Sequence, residues 1–290
     1  MEGVPILAYV GQSQDFRRRI NELRGIEGDS MPFTDPHIAS PCLWVWKQFP
    51  PNRPYTVSFA AIEGSAYWRQ GFEDLVIAQA RWNLKRALTL DERWHTAYSP
   101  LANFHKMPDG WVSSSSRAKG YRGGRVPFRT ESHTPSIMPV GELDDQRDPI
   151  ADLGWGGHEW TPWRRAGEVQ VDERAQGLYR LRKSDENDLI FIGYGSIGDA
   201  MRDARSAGRD LMVSYVVGPW CYHEQLELVT DALGLYLCQT GNLPHVQYGG
   251  EENKRAGSSW LLSSLTTQVI CALFRPASAQ SLRLPEMAIA

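Results

Sequence analysis

Tyr9-Val10-Gly11-Gln12-Ser13-Gln14-Asp15-Phe16-Arg17-Arg18-Arg19 is the stretch from which the fold is read. The apolar run Ile6-Leu7-Ala8-Tyr9-Val10 before Gly11 predicts a strand that the glycine ends. Ser13 to Asp15 supply side-chain oxygens that can cap a helix. The helix then presents Phe16, Ile20 and Leu23 on one face and arginines on the other. A tyrosine therefore stands on a strand and an arginine lies one turn into the following helix. A strand, a tight turn and a basic helix N-terminus together suit an anionic group.

This stretch resembles the GIY-YIG nuclease family. Tyr9-Val10-Gly11 is similar to the family's second signature triplet, and Arg19 falls where the family keeps its catalytic arginine. The family's fold opens with an earlier strand carrying Gly-Ile-Tyr. Here Gly3-Val4-Pro5 sits too close to Tyr9, with Pro5 in the tyrosine's place. Three explanations stay open: the first strand is missing, another segment supplies it, or it is encoded upstream of Met1.

Outward from that stretch, Gly25 to Pro41 reads as a loop, Leu43-Trp44-Val45-Trp46 as a helix start or strand, and Tyr55 to Ala60 as an alternating strand. Trp68 to Leu88 is the clearest helix, with Phe72, Leu75, Val76 and Ala80 at helical spacing. Gly71-Phe72-Glu73-Asp74-Leu75-Val76-Ile77 resembles the family's glutamate helix, in which the carboxylate binds one divalent metal. That resemblance makes Glu73 the ligand of a single Mg²⁺, a hard cation that suits carboxylate oxygen. By residue type alone Glu73 is an acid near a helix start, where the dipole favours it. Ser99-Pro100-Leu101-Ala102-Asn103-Phe104 is similar to the family's late asparagine segment, which implies a phosphate or structural hydrogen bond from Asn103.

From Ser113 to Thr130 the chain carries Arg117, Lys119, Arg122, Arg125 and Arg129 among glycines and serines, and no acid. Such composition buries no core of its own. It reads either as a solvated linker or as a segment that neutralises a phosphate backbone, with Trp111 and Tyr121 placed to stack on bases. Gly141 to Gly157 is acidic and rich in Pro and Gly, the mark of a domain boundary. Gly157-His158-Glu159-Trp160-Thr161-Pro162-Trp163 reads as a packing motif, and His158 lacks neighbouring ligands for a metal.

Gly177-Leu178-Tyr179-Arg180-Leu181, a polar turn and Leu189-Ile190-Phe191-Ile192-Gly193 make a hairpin pattern. It resembles both triplets of the same family, so the chain reads as an internal repeat. In this second copy Phe191 replaces the tyrosine of the second triplet, and Ala200 stands where Arg19 stood. On the helix from Glu224 to Leu237, Val229 takes the glutamate position. Neither alanine nor valine can hold a phosphate or a metal. Arg202 and Glu227 are too far around their helices to substitute.

The chain has 290 residues, a formal net charge of −3 and eleven tryptophans, within the range of a globular protein of one large domain or two small ones. The four cysteines form no C-x-x-C pair, which argues against a zinc site. Trp260 to Phe274 is apolar but broken by Ser, Thr and Gln, so it is not expected to span a membrane. With no signal-like N-terminus, a reducing cytoplasm is the expected compartment.

The expected architecture is α+β. It has two small GIY-YIG-like modules, 1–112 and a degenerate 171–250, each a short mixed or antiparallel sheet flanked by helices. A basic then acidic linker, 113–170, joins them, and a tail of unassigned role follows, 251–290. The resemblance implies a metal-dependent DNA endonuclease of the restriction or defence kind. Tyr9, Arg19, Glu73 and Asn103 would act on the phosphodiester. Arg17, Arg18, Lys106, Arg117, Lys119, Arg122 and Arg125 would contact nucleic acid. Because two strands need two cuts, a homodimer or sequential nicking is expected. The alternative is a catalytically impaired DNA-binding or assembly protein.

Overall fold

A computed structural model describes residues 6–24, 43, 55–62, 64–90, 137–143, 150–172, 174–206, 210–250 and 269–275. The fold is α+β, with antiparallel strands and four helices among the described residues. In chain order these are β1 (Ile6–Ser13), α1 (Phe16–Arg24), β2 (Thr56–Ala61), α2 (Ala66–Leu90), β3 (Arg164–Arg165), β4 (Gln176–Lys183), β5 (Leu189–Ser196), α3 (Ile197–Ser206), β6 (Leu211–Val217), α4 (Tyr222–Thr240) and β7 (Val269–Arg275). The chain divides into two compact units. The first is Met1–Ile62, Ser99–Thr134 and Thr266–Ala290; the second is Glu63–Tyr98 and Pro135–Leu265.

The first unit holds a three-stranded sheet in the order β1-β7-β2. Both neighbours run antiparallel to β7. β1 does not stop at Gly11 as the sequence suggests; it continues to Ser13 because Gly11, Gln12 and Ser13 pair with Cys271, Ile270 and Val269. The ladder shifts by one residue between Leu7 and Tyr9, so Ala8 is a bulge. α1 packs Leu23 inward, and the Phe16 ring lies 4.4 Å from that of Phe59 on β2.

The second unit holds a four-stranded sheet in the order β3-β6-β4-β5. β4 and β5 form the expected hairpin, extended at both ends. Side chains alternate across it as a two-sided sheet requires. Tyr179, Leu181 and Phe191 face α3, where Ile197, Ala200, Met201 and Ala204 pack with Val213. Leu178 and Ile192 face the other way, onto Leu228, Val229 and Leu233 of α4. The ladder shifts where Leu181 pairs with Phe191 and Arg182 with Leu189. Ile190 is thus a bulge, and it packs on the α3 side beside Phe191.

α4 is buried nearly all round, so it is a core helix with little solvent face. Its start is fixed by Glu224, which accepts the Cys221 N–H at 2.8 Å, and its end by Gly241, whose φ of 68° favours glycine. α2 crosses α4 where Gly234 meets Ala78; a Cβ on Gly234 would stand 2.5 Å from that of Ala78. Beside the crossing Arg81 pairs with Asp231 at 2.8 Å and Glu227 at 3.1 Å, all three inside the fold. Burial alone would raise the Glu227 carboxyl, but His223, Arg81 and the Ile137 N–H together hold it below its usual range.

Arg180 explains the tryptophan-rich stretch. Its fully buried guanidinium lies 4.4 Å from the Trp160 ring, 4.8 Å from Trp163 and 5.5 Å from Trp155. It donates to the carbonyls of Ile150 and Asp152 and to Ser214 Oγ. Trp160 Nε1 donates in turn to the Trp155 carbonyl at 2.7 Å. The segment from Gly157 to Trp163 is a packing element, as its composition suggests. Burial, then Arg182, lowers the Arg180 pKa to about 9, which leaves it charged at neutral pH. Replacing Arg180 by Ala unpairs the Ile150 and Asp152 carbonyls and empties the indole cage, so we expect a loss of about 2–4 kcal/mol of stability. Urea denaturation followed by tryptophan fluorescence checks this, and a loss below about 1 kcal/mol would contradict the role given to the cage.

Candidate functional site

The site begins at the bulge in β1. An extra residue at Ala8 resets the alternation, and Tyr9 and Val10 are both buried. The Tyr9 ring leans along the strand over Gly11, close enough that a Cβ on Gly11 would lie 2.2 Å from the phenolic oxygen. Gly11 is therefore a glycine for space: any larger residue displaces the tyrosine.

The turn into α1 forms as the sequence suggests. The Asp15 N–H donates to Ser13 Oγ at 3.1 Å, and Ser13 Oγ donates to the Asp15 carbonyl at 2.8 Å. Asp15 Oδ1 accepts the Arg18 N–H at 2.9 Å, capping the helix. Arg19 is thereby fixed one turn in. Its guanidinium bends back to the strand, donating to the Gln12 carbonyl at 3.2 Å and pairing with Glu22 at 3.1 Å. Its Nε is buried without a hydrogen-bond partner among the described residues. Arg17 and Arg18 are exposed, and Arg18 pairs with Glu22 at 2.8 Å. Tyr9, Arg17, Arg18 and Arg19 thus share one unit.

Glu73 lies on α2 and belongs to the second unit, partly buried. Beside it, burial and then the Glu73 charge push the Asp74 carboxyl well above the usual carboxylate range. Asp74 Oδ2 is buried without a partner among the described residues. Glu73 offers one hard oxygen ligand, which fits Mg²⁺ as a cation that retains most of its waters. No group of three or more His, Cys, Asp and Glu able to hold a metal occurs among the described residues. Asn103, Lys106, Arg117, Lys119, Arg122 and Arg125 lie outside the described residues.

In the second unit the corresponding positions are part of the core. Tyr179 lies opposite Gly193, and a Cβ on Gly193 would meet its phenolic oxygen at 2.5 Å and the Phe191 ring at 2.6 Å. Ala200 and Val229 are buried in apolar clusters. Arg202 pairs with Asp199 on its own helix, and Glu227 is held by Arg81. The ionic cluster not read from the sequence is Arg81 with Glu227 and Asp231, with His223 beside Glu227. The one-turn spacing of His223, Glu227 and Asp231 on α4 was the available signal.

No family model, curated protein or solved structure matches the chain. No helix among the described residues is long and apolar enough to cross a membrane.

Two outcomes are expected. Gly11→Ala should drive the Tyr9 ring from its place at a cost of about 1–3 kcal/mol, measured by denaturant titration, whereas Gly167→Ala, with open space around it, should cost far less. His158 is packed edge-on between Trp160 and Trp220, and burial, then Arg180, lowers its pKa to about 4. The unfolded chain therefore takes up this proton first as pH falls. The stability from the neutral ring is complete above about pH 6.5 and declines toward pH 4. An NMR titration placing the His158 midpoint near 6.5 in the folded protein would refute this.

Proposed function

We propose that the protein is a metal-dependent DNA endonuclease with two GIY-YIG-like modules, the basic segment 113–130 lying between them in the sequence. The second module would be structural. The observation that carries the reading is the capped strand-to-helix turn that holds Tyr9 and Arg19 in one unit, in the order and spacing of the family's second triplet and arginine. In this chemistry the Tyr9 hydroxyl relays a proton from the attacking water. Arg19 stabilises charge gathering on the phosphate oxygens. Glu73 would hold the Mg²⁺, whose charge would stabilise a leaving oxygen. Arg17 and Arg18, exposed on α1, meet neighbouring phosphates, and the arginines of the basic segment neutralise more of the backbone. Asn103 assists by hydrogen bonding. The setting that family habit suggests is restriction or defence.

The buried Ala200 and Val229 favour a structural role for the second module, since apolar residues there contribute packing and no chemistry. With at most one complete set of groups per chain, duplex cleavage would be sequential or need a homodimer.

The test is supercoiled plasmid with Mg²⁺, beside Arg19→Ala and Glu73→Ala. The wild type should nick first and linearise later, and each variant should lose about 10²–10³ in rate. Chelation by EDTA should abolish cleavage. Binding without cleavage in all three proteins would instead favour a DNA-binding or assembly protein.

A further inference from the structure

β7 is the central strand of the first unit, yet it comes from the other end of the chain. Set beside the second unit, its position is not arbitrary. In the first unit the middle strand β7 is flanked by β1, which runs into α1, and by β2, which precedes α2. In the second the strand β4 is flanked by β5, which runs into α3, and by β6, which precedes α4.

The register agrees residue by residue. Gly11 pairs with Cys271, and Cys271 with Phe59. Gly193 pairs with Tyr179, and Tyr179 with Tyr215. The bulges agree as well: Ala8 immediately precedes Tyr9, and Ile190 immediately precedes Phe191. Both flanking helices are capped by the residue just before them: Asp15, four after Gly11, accepts from Arg18 N–H, and Ser196, three after Gly193, from Asp199 N–H. The flanking strands share sequence, Val57-Ser58-Phe59 against Val213-Ser214-Tyr215. From there the same number of residues leads to the first residue of the next helix, Ala66 or Tyr222. A one-residue slip in a sheet would turn every side chain to the other face, so shared register, bulge and spacing together exclude chance pairing.

We propose that β7 is the relocated first strand of the N-terminal module, a circular permutation within the chain, and that the site at Tyr9 and Arg19 is completed by residues 269–275. Of the three explanations open from the sequence, the strand is supplied by another segment. Cys271 then occupies the station of the first-triplet tyrosine, a statement that rests on the nuclease reading; the equivalence of the strands does not.

The test uses the full chain and no cleavage assay, so its failure is distinct from failure of the nuclease reading. Register partners in an antiparallel pair stand about 4.5–5.5 Å apart at Cα, within reach of a disulfide. Phe59→Cys should oxidise to a bridge with native Cys271, identified by peptide mapping, while Ser58→Cys, on the opposite face, should not. Val57→Cys with Leu273→Cys serves as a second pair should the loss of Phe59 unsettle the sheet. Ala272→Pro removes a donor from the central strand and should expose the amides of β1 and β2 to hydrogen exchange, leaving those of β4 and β5 protected. Failure of both register-matched bridges, or a Ser58→Cys bridge to Cys271 formed as readily, would overturn the proposal. So would unchanged exchange in β1 and β2.

Discussion

Among the described residues β1 and β2 form no ladder with each other; each is paired with β7. A backbone N–H or C=O withdrawn from water without a partner costs as much as a lost hydrogen bond, so strands are not held beside each other by side chains alone. The first unit therefore depends on one strand contributed from far along the sequence. Everything placed by β1 follows from it, including the Ala8 bulge, the Tyr9 ring over Gly11 and the Asp15 cap that aims Arg19. The loop that β7 must close to reach β1 spans most of the chain. The entropy of closure grows only logarithmically with length, so this long connection costs little more than a shorter one.

The second unit meets the same requirement locally. β4 and β5 are joined by a short turn, and α4 covers the face that Leu178 and Ile192 present. Two of its positions contribute packing alone. Ala200 lies among Ile197, Met201 and Val213, and Val229 among Leu228, Leu233 and Leu178. An arginine at the first position or a glutamate at the second would need a partner in an apolar cluster. A charge there is costly unless paired, so apolar residues at both positions favour stability. Arg180 is tolerated in the same core only because three indoles and three oxygen acceptors surround it.

What the sequence revealed was local. The β4–β5 hairpin, α2, the cap at Ser13 to Asp15 and the packing role of Gly157 to Trp163 all depend on neighbours in the chain, and each was readable from period or turn chemistry. β7 was not. Val269 to Arg275 is a short apolar run whose strand character is decided by two partners remote in sequence. Periodicity cannot distinguish such a run from a buried helix segment. The extent of β1 failed for the same reason: Gly11 reads as a stop, but pairing with Cys271 carries the strand through it. Of the site, the strand-to-helix turn was legible because it is a single contiguous motif. The division that assigns Glu73 to the other unit was not, since α2 follows β2 closely in the chain but packs against α4.

The two sheets also differ in how a phenol reaches the glycine beside the bulge. In the second unit two side chains crowd Gly193: the Phe191 ring from the same strand and the Tyr179 hydroxyl from across the ladder. In the first unit Tyr9 stands in the same place as Phe191, two residues before the glycine, but carries its own hydroxyl over Gly11. One side chain thus brings both the ring and the oxygen that the second unit draws from two strands. The space requirement then falls on Gly11, where a single methyl would meet the phenolic oxygen.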